Sequence, residues 1–155
     1  MSANGPATMD RTPPRTLDAP PTSGAALAAL GGAALLMGMV VYALWRRGSV
    51  PMPAVVAVLA GSAPSLLHAF AFTLWTALAL RGPPRTAWAV ALAWAALEAV
   101  IEAFQHPALH ALLSAAVATR WAGTFDPWDL MAALLGAALA GLLAFRHATP
   151  NEDLP

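Results

Sequence analysis

The apolar run from Ala25 to Trp45, AALAALGGAALLMGMVVYALW, is the feature that most restricts how this chain can fold. It contains no charged side chain and ends at Arg46 and Arg47. A helix that crosses a bilayer needs roughly 20 mostly apolar residues, and only a helix pairs all of its backbone groups within one segment. The run therefore predicts a transmembrane helix. It is longer than the apolar region of a typical signal peptide, so we expect it to remain as an anchor.

Three further segments are also long and mostly apolar. In the chain as a whole, 59% of the residues are hydrophobic and only 10% are charged. The three segments are Pro64–Leu80, which the apolar run Ala54–Ala60 could extend backwards, Thr86–Gln105 and Trp128–Phe145. The sequence RGPPR after Leu80 separates the first two of these, because glycine and proline end helices. We therefore predict an all-α polytopic membrane protein with four transmembrane helices.

The remaining segments are polar or short. Residues 1–24 are rich in Pro, Thr, Ser and Gly and predict a disordered tail, residues 25–147 form the predicted transmembrane domain, and residues 148–155 form a polar tail. Because Pro107 disfavours helical geometry at His106, the third helix should break there. The segment from Pro107 to Trp121 is too short for an ordinary span, so we expect a short helix that either re-enters the membrane or lies along its surface.

Composition excludes several functional classes. The chain has no cysteine, which removes disulfides, thiol catalysis and cysteine-based zinc sites. Its 8 basic residues are all arginines, they balance 8 acidic ones, and they form no patch, so we expect no nucleic-acid partner. His106 and His110 have the i, i+4 spacing of a zinc helix, but Pro107 interrupts it and the motif's Glu is missing. We therefore expect no metal and no cofactor, and the lipid bilayer as the main partner.

Orientation can be read from the arginines, because cytoplasmic loops carry an excess of basic residues. With the amino terminus inside, the cytoplasmic arginines are Arg11, Arg15, Arg81, Arg85 and Arg146, and the outer ones are Arg46, Arg47 and Arg120. The count favours a multi-pass membrane protein with a cytoplasmic amino terminus. Whether it forms a homo-oligomer stays open.

Polar side chains interrupt the apolar segments at one membrane face. An alternating topology brings together the start of helix two, the end of helix three and the entry of helix four. The candidate polar cluster at that face consists of His68, Glu98, Glu102, Gln105, Asp126 and Asp129. Glu98, Glu102 and Gln105 share one broad face of their helix. If Glu98 faces the bundle interior, we expect it to be protonated or paired with a group such as His68 or Thr73. Charges inside a membrane are costly and usually face protein or water, so a lipid-facing role is disfavoured.

Several roles for this cluster stay open from the residues alone. Asp126 suits a helix N-cap before Pro127, and Asp129 suits the first helical turn. Asp129, Ala133, Ala137 and Gly141 recur every fourth residue and predict a face that another helix approaches closely. A structural cluster that holds the helices together is therefore one alternative. Transport, proton relay or lipid-headgroup binding is another, and an enzyme acting on a lipid-linked substrate is a third, although no nucleophile or phosphate-binding signature supports it.

The motifs SLLHAFAF, EAFQ and DLMAALLG resemble the VanZ-like membrane proteins of bacteria. In that family a His opens one span, E-x-x-Q ends the next, and an Arg followed by D-x-x-x-N-x-x-G opens the last. His68, Glu102, Gln105, Asp129 and Gly136 match these positions, within residues 62–141. Ala133 replaces the family's Asn, Gly123 stands where it has Arg, and Arg120 is the nearest arginine. The resemblance implies a small polytopic protein of the bacterial inner membrane with a role in the cell envelope, linked in the family's namesake to glycopeptide-antibiotic tolerance, but no defined molecular activity. An envelope or lipid-linked ligand stays open as a partner.

Overall fold

Four long helices form the protein in a computed structural model that describes residues 24–47, 53–110 and 125–149. They are α1 (Gly24–Arg47), α2 (Ala54–Leu80), α3 (Pro84–Gln105) and α5 (Pro127–Ala148), and the four-residue α4 (Pro107–His110) follows α3. Within the described ranges there is no β-strand, and all four long helices are long and apolar enough to cross a membrane. The predicted all-α, four-span membrane fold is confirmed.

Prolines determine where these helices begin and end. α2 ends at Arg81, whose left-handed backbone (φ 45°) leads into Gly82 and Pro83, and α3 begins directly afterwards with Pro84. α3 ends before His106, which is extended (ψ 131°). Pro107 disfavours helical geometry in the residue before it, so the predicted break at this point is confirmed. α4 is the first part of the short helix predicted after Pro107. The rest of that predicted segment falls in residues 111–124, outside the described part of the chain.

α2 is longer than the segment that begins at Pro64, because the helix starts at Ala54 and includes the run expected to extend it. Pro64 lies inside the helix and is buried. It donates no backbone hydrogen bond, and membrane helices tolerate such a gap where neighbouring helices pack around it. This extension adds Ser62 to the helix. The two predicted tails fall on residues outside the described ranges, except at their junctions with α1 and α5.

α2 is the central helix, since it packs against both α1 and α5, while α3 packs mainly against α5. The buried apolar side chains of the described residues are all alanines except Pro64, Leu74 and Val90. Large apolar side chains such as Leu36, Leu92 and Met131 face outwards and are more than half exposed. This distribution is typical of membrane bundles, in which small residues let helices approach and large ones contact lipid.

The small-residue face predicted on the last helix is confirmed. Ala133 and Ala137 are buried, and a Cβ atom at Gly141 would lie 2.8 Å from the Cβ of Ala91 on α3. At Gly136 the backbone of α5 meets the backbone of α2 directly, at the carbonyl oxygen of Leu66. Close backbone approach of this kind fixes the position of α5 against both neighbours, and with it the position of the acidic residues at its first turn.

Candidate functional site

The first turn of α5 carries two aspartates with different partners. Asp126 is the N-cap residue, and its Oδ1 accepts a hydrogen bond from the backbone N–H of Trp128 at 2.9 Å. Pro127 occupies the first helical position, where no N–H is needed. The predicted cap is therefore confirmed. Asp129 lies in the same turn, and its carboxylate interacts with the hydroxyl groups of Ser62 and Ser65 on α2.

Glu102 connects α3 to this turn. Its Oε2 accepts a hydrogen bond from the backbone N–H of Asp126 at 3.3 Å. Three helices thus contribute to one group of residues at the membrane face where α2 begins and α3 ends. We call this group the carboxylate cluster, and it consists of Ser62 and Ser65 from α2, Glu102 from α3, and Asp126 and Asp129 at the start of α5.

One acceptor of the carboxylate cluster is left without a partner. The Oδ1 atom of Asp129 is buried and has no hydrogen-bond partner among the described residues. A buried carboxylate oxygen that accepts no hydrogen bond loses the water it would have bound, at a cost of about 1–3 kcal/mol. The Oδ1 atom of Asp129 is therefore an acceptor that the two serine hydroxyls leave unoccupied. A further hydrogen-bond donor could bind to it.

His68 packs towards α1. At about 100° per residue it is turned about 120° from Ser62 and about 60° from Ser65 around α2. A Cβ atom at Gly38 of α1 would be 3.6 Å from the His68 ring, and the ring is tilted against Phe72 at 6.5 Å between centroids. The structure therefore places this imidazole between α2 and α1, and no hydrogen bond links it to the described carboxylates.

Glu98 and Gln105 share α3 with Glu102 but do not join its contacts. Glu98 is half-buried one turn further into the membrane. Thr73 is not its hydrogen-bond partner, because the Thr73 hydroxyl is fully buried and unpaired. Gln105 is the last residue of α3 and is half-buried. It takes no part in the hydrogen bonds that Glu102 and Asp126 accept. Of the six predicted residues, the structure joins Glu102 to Asp126 directly and places Asp129 on the same turn.

Ser62 and Ser65 are the residues that sequence reasoning missed. Their spacing of three residues places both on one side of a helix, but this signal depends on α2 passing through Pro64. An apolar groove lies beside them, with a volume of about 610 Å³. Its lining includes Ser62, Leu66, Trp128 and Met131, so the carboxylate cluster adjoins a surface suited to an acyl chain.

Within the described residues, no group of three His, Asp or Glu side chains is placed so that it could hold a metal ion. What the carboxylate cluster can do chemically is accept hydrogen bonds from a polar or cationic group, or take and release a proton. Comparisons of the chain with protein-family models, characterised proteins and solved structures find no match.

Proposed function

We propose that this chain is a VanZ-like protein of the bacterial inner membrane with a role in the cell envelope, and that the carboxylate cluster binds the ligand of that role. The observation that carries the proposal is the unpaired, buried Oδ1 of Asp129, within a group of acidic side chains from two helices. Charges within a membrane helix cost about 2.5–3.5 kcal/mol each on insertion scales. A cluster that only held helices together would gain most by pairing every acceptor.

The spacing of the resemblance supports the family part of this proposal. Glu102 lies in the last turn of α3 and Asp129 in the first turn of α5, on the same membrane face, as the family's order of motifs requires. Gly136, the last residue of the aspartate motif, lies where the backbone of α5 meets that of α2. Ala133 is buried in the same packing surface. The alanine that replaces the family's asparagine therefore serves helix packing in this chain.

Neutralising single carboxylates tests the proposed role. In a strain that lacks the gene, we expect Glu102→Gln and Asp129→Asn to accumulate normally yet to complement no better than an empty vector, scored as glycopeptide and envelope-stress sensitivity. Glu98→Gln is the matched control, because it makes the same change one turn away on α3, outside the carboxylate cluster. Immunoblots of membranes measure abundance. Loss of protein in step with loss of complementation would make the cluster structural and would overturn the proposal.

Reconstitution separates the activities that such a cluster could serve. A transporter or proton relay would give pH-dependent flux in liposomes that Glu102→Gln abolishes. A headgroup-binding protein would retain a lipid through purification and lose it in Asp129→Asn. An enzyme would consume a lipid-linked substrate in detergent, which the same variants would stop.

We also propose that the amino terminus is cytoplasmic, so that the carboxylate cluster faces the periplasm. Arg81, Arg85 and Arg146 lie at the membrane face where α1 begins, and this distribution supports the orientation. Because the chain has no cysteine, single cysteines report topology directly. We expect an impermeant maleimide to label Pro53→Cys in intact spheroplasts and Pro83→Cys only after permeabilisation, since both positions are exposed. The reverse pattern would place the carboxylate cluster in the cytoplasm.

A further inference from the structure

A second cavity lies at the opposite membrane face from the carboxylate cluster. Its volume is about 810 Å³, within the range of about 300–1,000 Å³ that ligand pockets occupy. The first turn of α1, the end of α2, the start of α3 and the end of α5 enclose it. Its charged or titratable lining residues are Arg81 and His147, and the Thr86 hydroxyl is also part of the lining. We call it the basic cavity.

No described carboxylate neutralises the basic cavity. Its described lining contains no Asp or Glu. The four acidic residues within the described ranges are Glu98, Glu102, Asp126 and Asp129, and they all lie towards the other face. Arg81 therefore lines this space without an opposite charge from the described part of the bundle. A cavity that collects basic groups and excludes acidic ones is suited to an anion.

The preference of the basic cavity for an anion comes from its side chains and not from helix dipoles. α1 and α3 begin at this face while α2 and α5 end at it, so their positive and negative ends oppose one another. The donors that remain are the planar guanidinium of Arg81, the imidazole of His147 and the hydroxyl of Thr86. A guanidinium matches the oxygen pairs of a phosphate group with two parallel hydrogen bonds.

The remaining wall of the basic cavity is apolar. Ala28, Leu78 and Ala144 line it about one turn further from the helix ends, on the side of the membrane interior. A ligand that fits must therefore carry an anionic group at the membrane face and tolerate apolar contacts beneath. We propose that the basic cavity binds a phosphate group at the membrane surface, and that the headgroup of an anionic phospholipid supplies it.

Binding of short-chain lipids to the purified full-length protein tests this site. The probes are dioctanoyl phosphatidylglycerol, dioctanoyl phosphatidylcholine and inorganic phosphate, each titrated in detergent and followed by thermal shift. We expect saturable binding of phosphatidylglycerol. The double variant Arg81→Asn, His147→Gln should weaken it by about tenfold or more, which corresponds to the loss of about 1.4 kcal/mol. Asparagine is chosen at position 81 because it tolerates the left-handed backbone found there.

The control removes the same kind of charge from the same face without touching the basic cavity. Arg85→Gln and Arg146→Gln each delete one arginine that does not line it, and we expect phosphatidylglycerol affinity to stay within about twofold, well under the 1.4 kcal/mol of a tenfold change. Preference for phosphatidylglycerol over inorganic phosphate supports a lipid headgroup, whereas equal binding supports a free phosphate at the same site. Absent binding, or equal loss in control and cavity variants, overturns the proposal.

Discussion

Replacing Gly136 by valine is expected to remove most of the folded protein. A Cβ atom at this position would overlap the carbonyl oxygen of Leu66 and lie 3.1 Å from the backbone nitrogen of Phe70. Both are backbone atoms of α2, so no side-chain rotation relieves the contact and α5 must move away. Overpacking a well-filled interior costs typically about 1–3 kcal/mol, and a clash with backbone should reach the top of that range or exceed it.

Gly61→Val is the matched control for this prediction. Gly61 also lies in a long helix, but no other described helix comes within 4 Å of a Cβ atom at this position, so valine there displaces no described neighbour. Folded protein is measured as the monodisperse fraction by size-exclusion chromatography in detergent, together with the apparent Tm. We expect a normal profile for Gly61→Val and aggregation for Gly136→Val. Equal profiles would mean that α2 and α5 do not meet at Gly136.

The spans were predictable because their signals are local. A run of about 20 apolar residues ended by arginine or by glycine and proline leaves few alternatives in a membrane. The break at His106 followed from Pro107 alone, and the N-cap at Asp126 from its place before Pro127. The four-residue spacing of small residues on α5 likewise predicted its packing face, since that spacing repeats along one side of any helix.

The partners of the acidic residues were harder to predict, because they depend on the rotation of each helix about its own axis. Alternating topology was enough to place Glu102 and Asp126 at one face. It could not show that α2 turns Ser62 and Ser65, rather than His68, towards Asp129. That rotation follows from long-range packing, including the approach of Gly38 to the His68 ring. Because Pro64 looked like a helix start, Ser62 also fell outside the predicted span.

The basic cavity could not be predicted from the sequence either, because it also depends on long-range helix packing. Arg81 and His147 are 66 positions apart, and each is by itself an ordinary residue at the end of a helix. Only the packing of α2 beside α5 brings them to one cavity. A phosphate-binding motif in a loop can be read from its spacing, whereas a site built from the ends of several helices cannot.

Replacing Trp75 by alanine is expected to release α1 from the bundle. The indole N–H donates to the carbonyl oxygen of Ala28 at 2.9 Å, and its ring fills the space beside Gly31, where a Cβ atom would lie 2.6 Å from the indole nitrogen. α1 packs chiefly on α2, so loss of a large side chain from that interface weakens the main contact that holds α1. Removing a fully buried Trp costs about 3–5 kcal/mol, and because Trp75 is half-buried we expect the lower end of that range. Losing the hydrogen bond alone, as in Trp75→Phe, should cost about 0.6 kcal/mol.

A cysteine at Ala34 reports this release, because Ala34 is buried on α1 and the chain has no other cysteine. In detergent, we expect Trp75→Ala to raise the rate of maleimide labelling of Ala34→Cys by about a hundredfold, from a cost of about 3 kcal/mol, and Trp75→Phe by about threefold. Trp128→Ala is the control, since Trp128 is 55% exposed on α5 and its loss should leave labelling unchanged. Unchanged labelling in Trp75→Ala would show that α1 does not depend on this indole, and that its helix contacts alone hold it against α2.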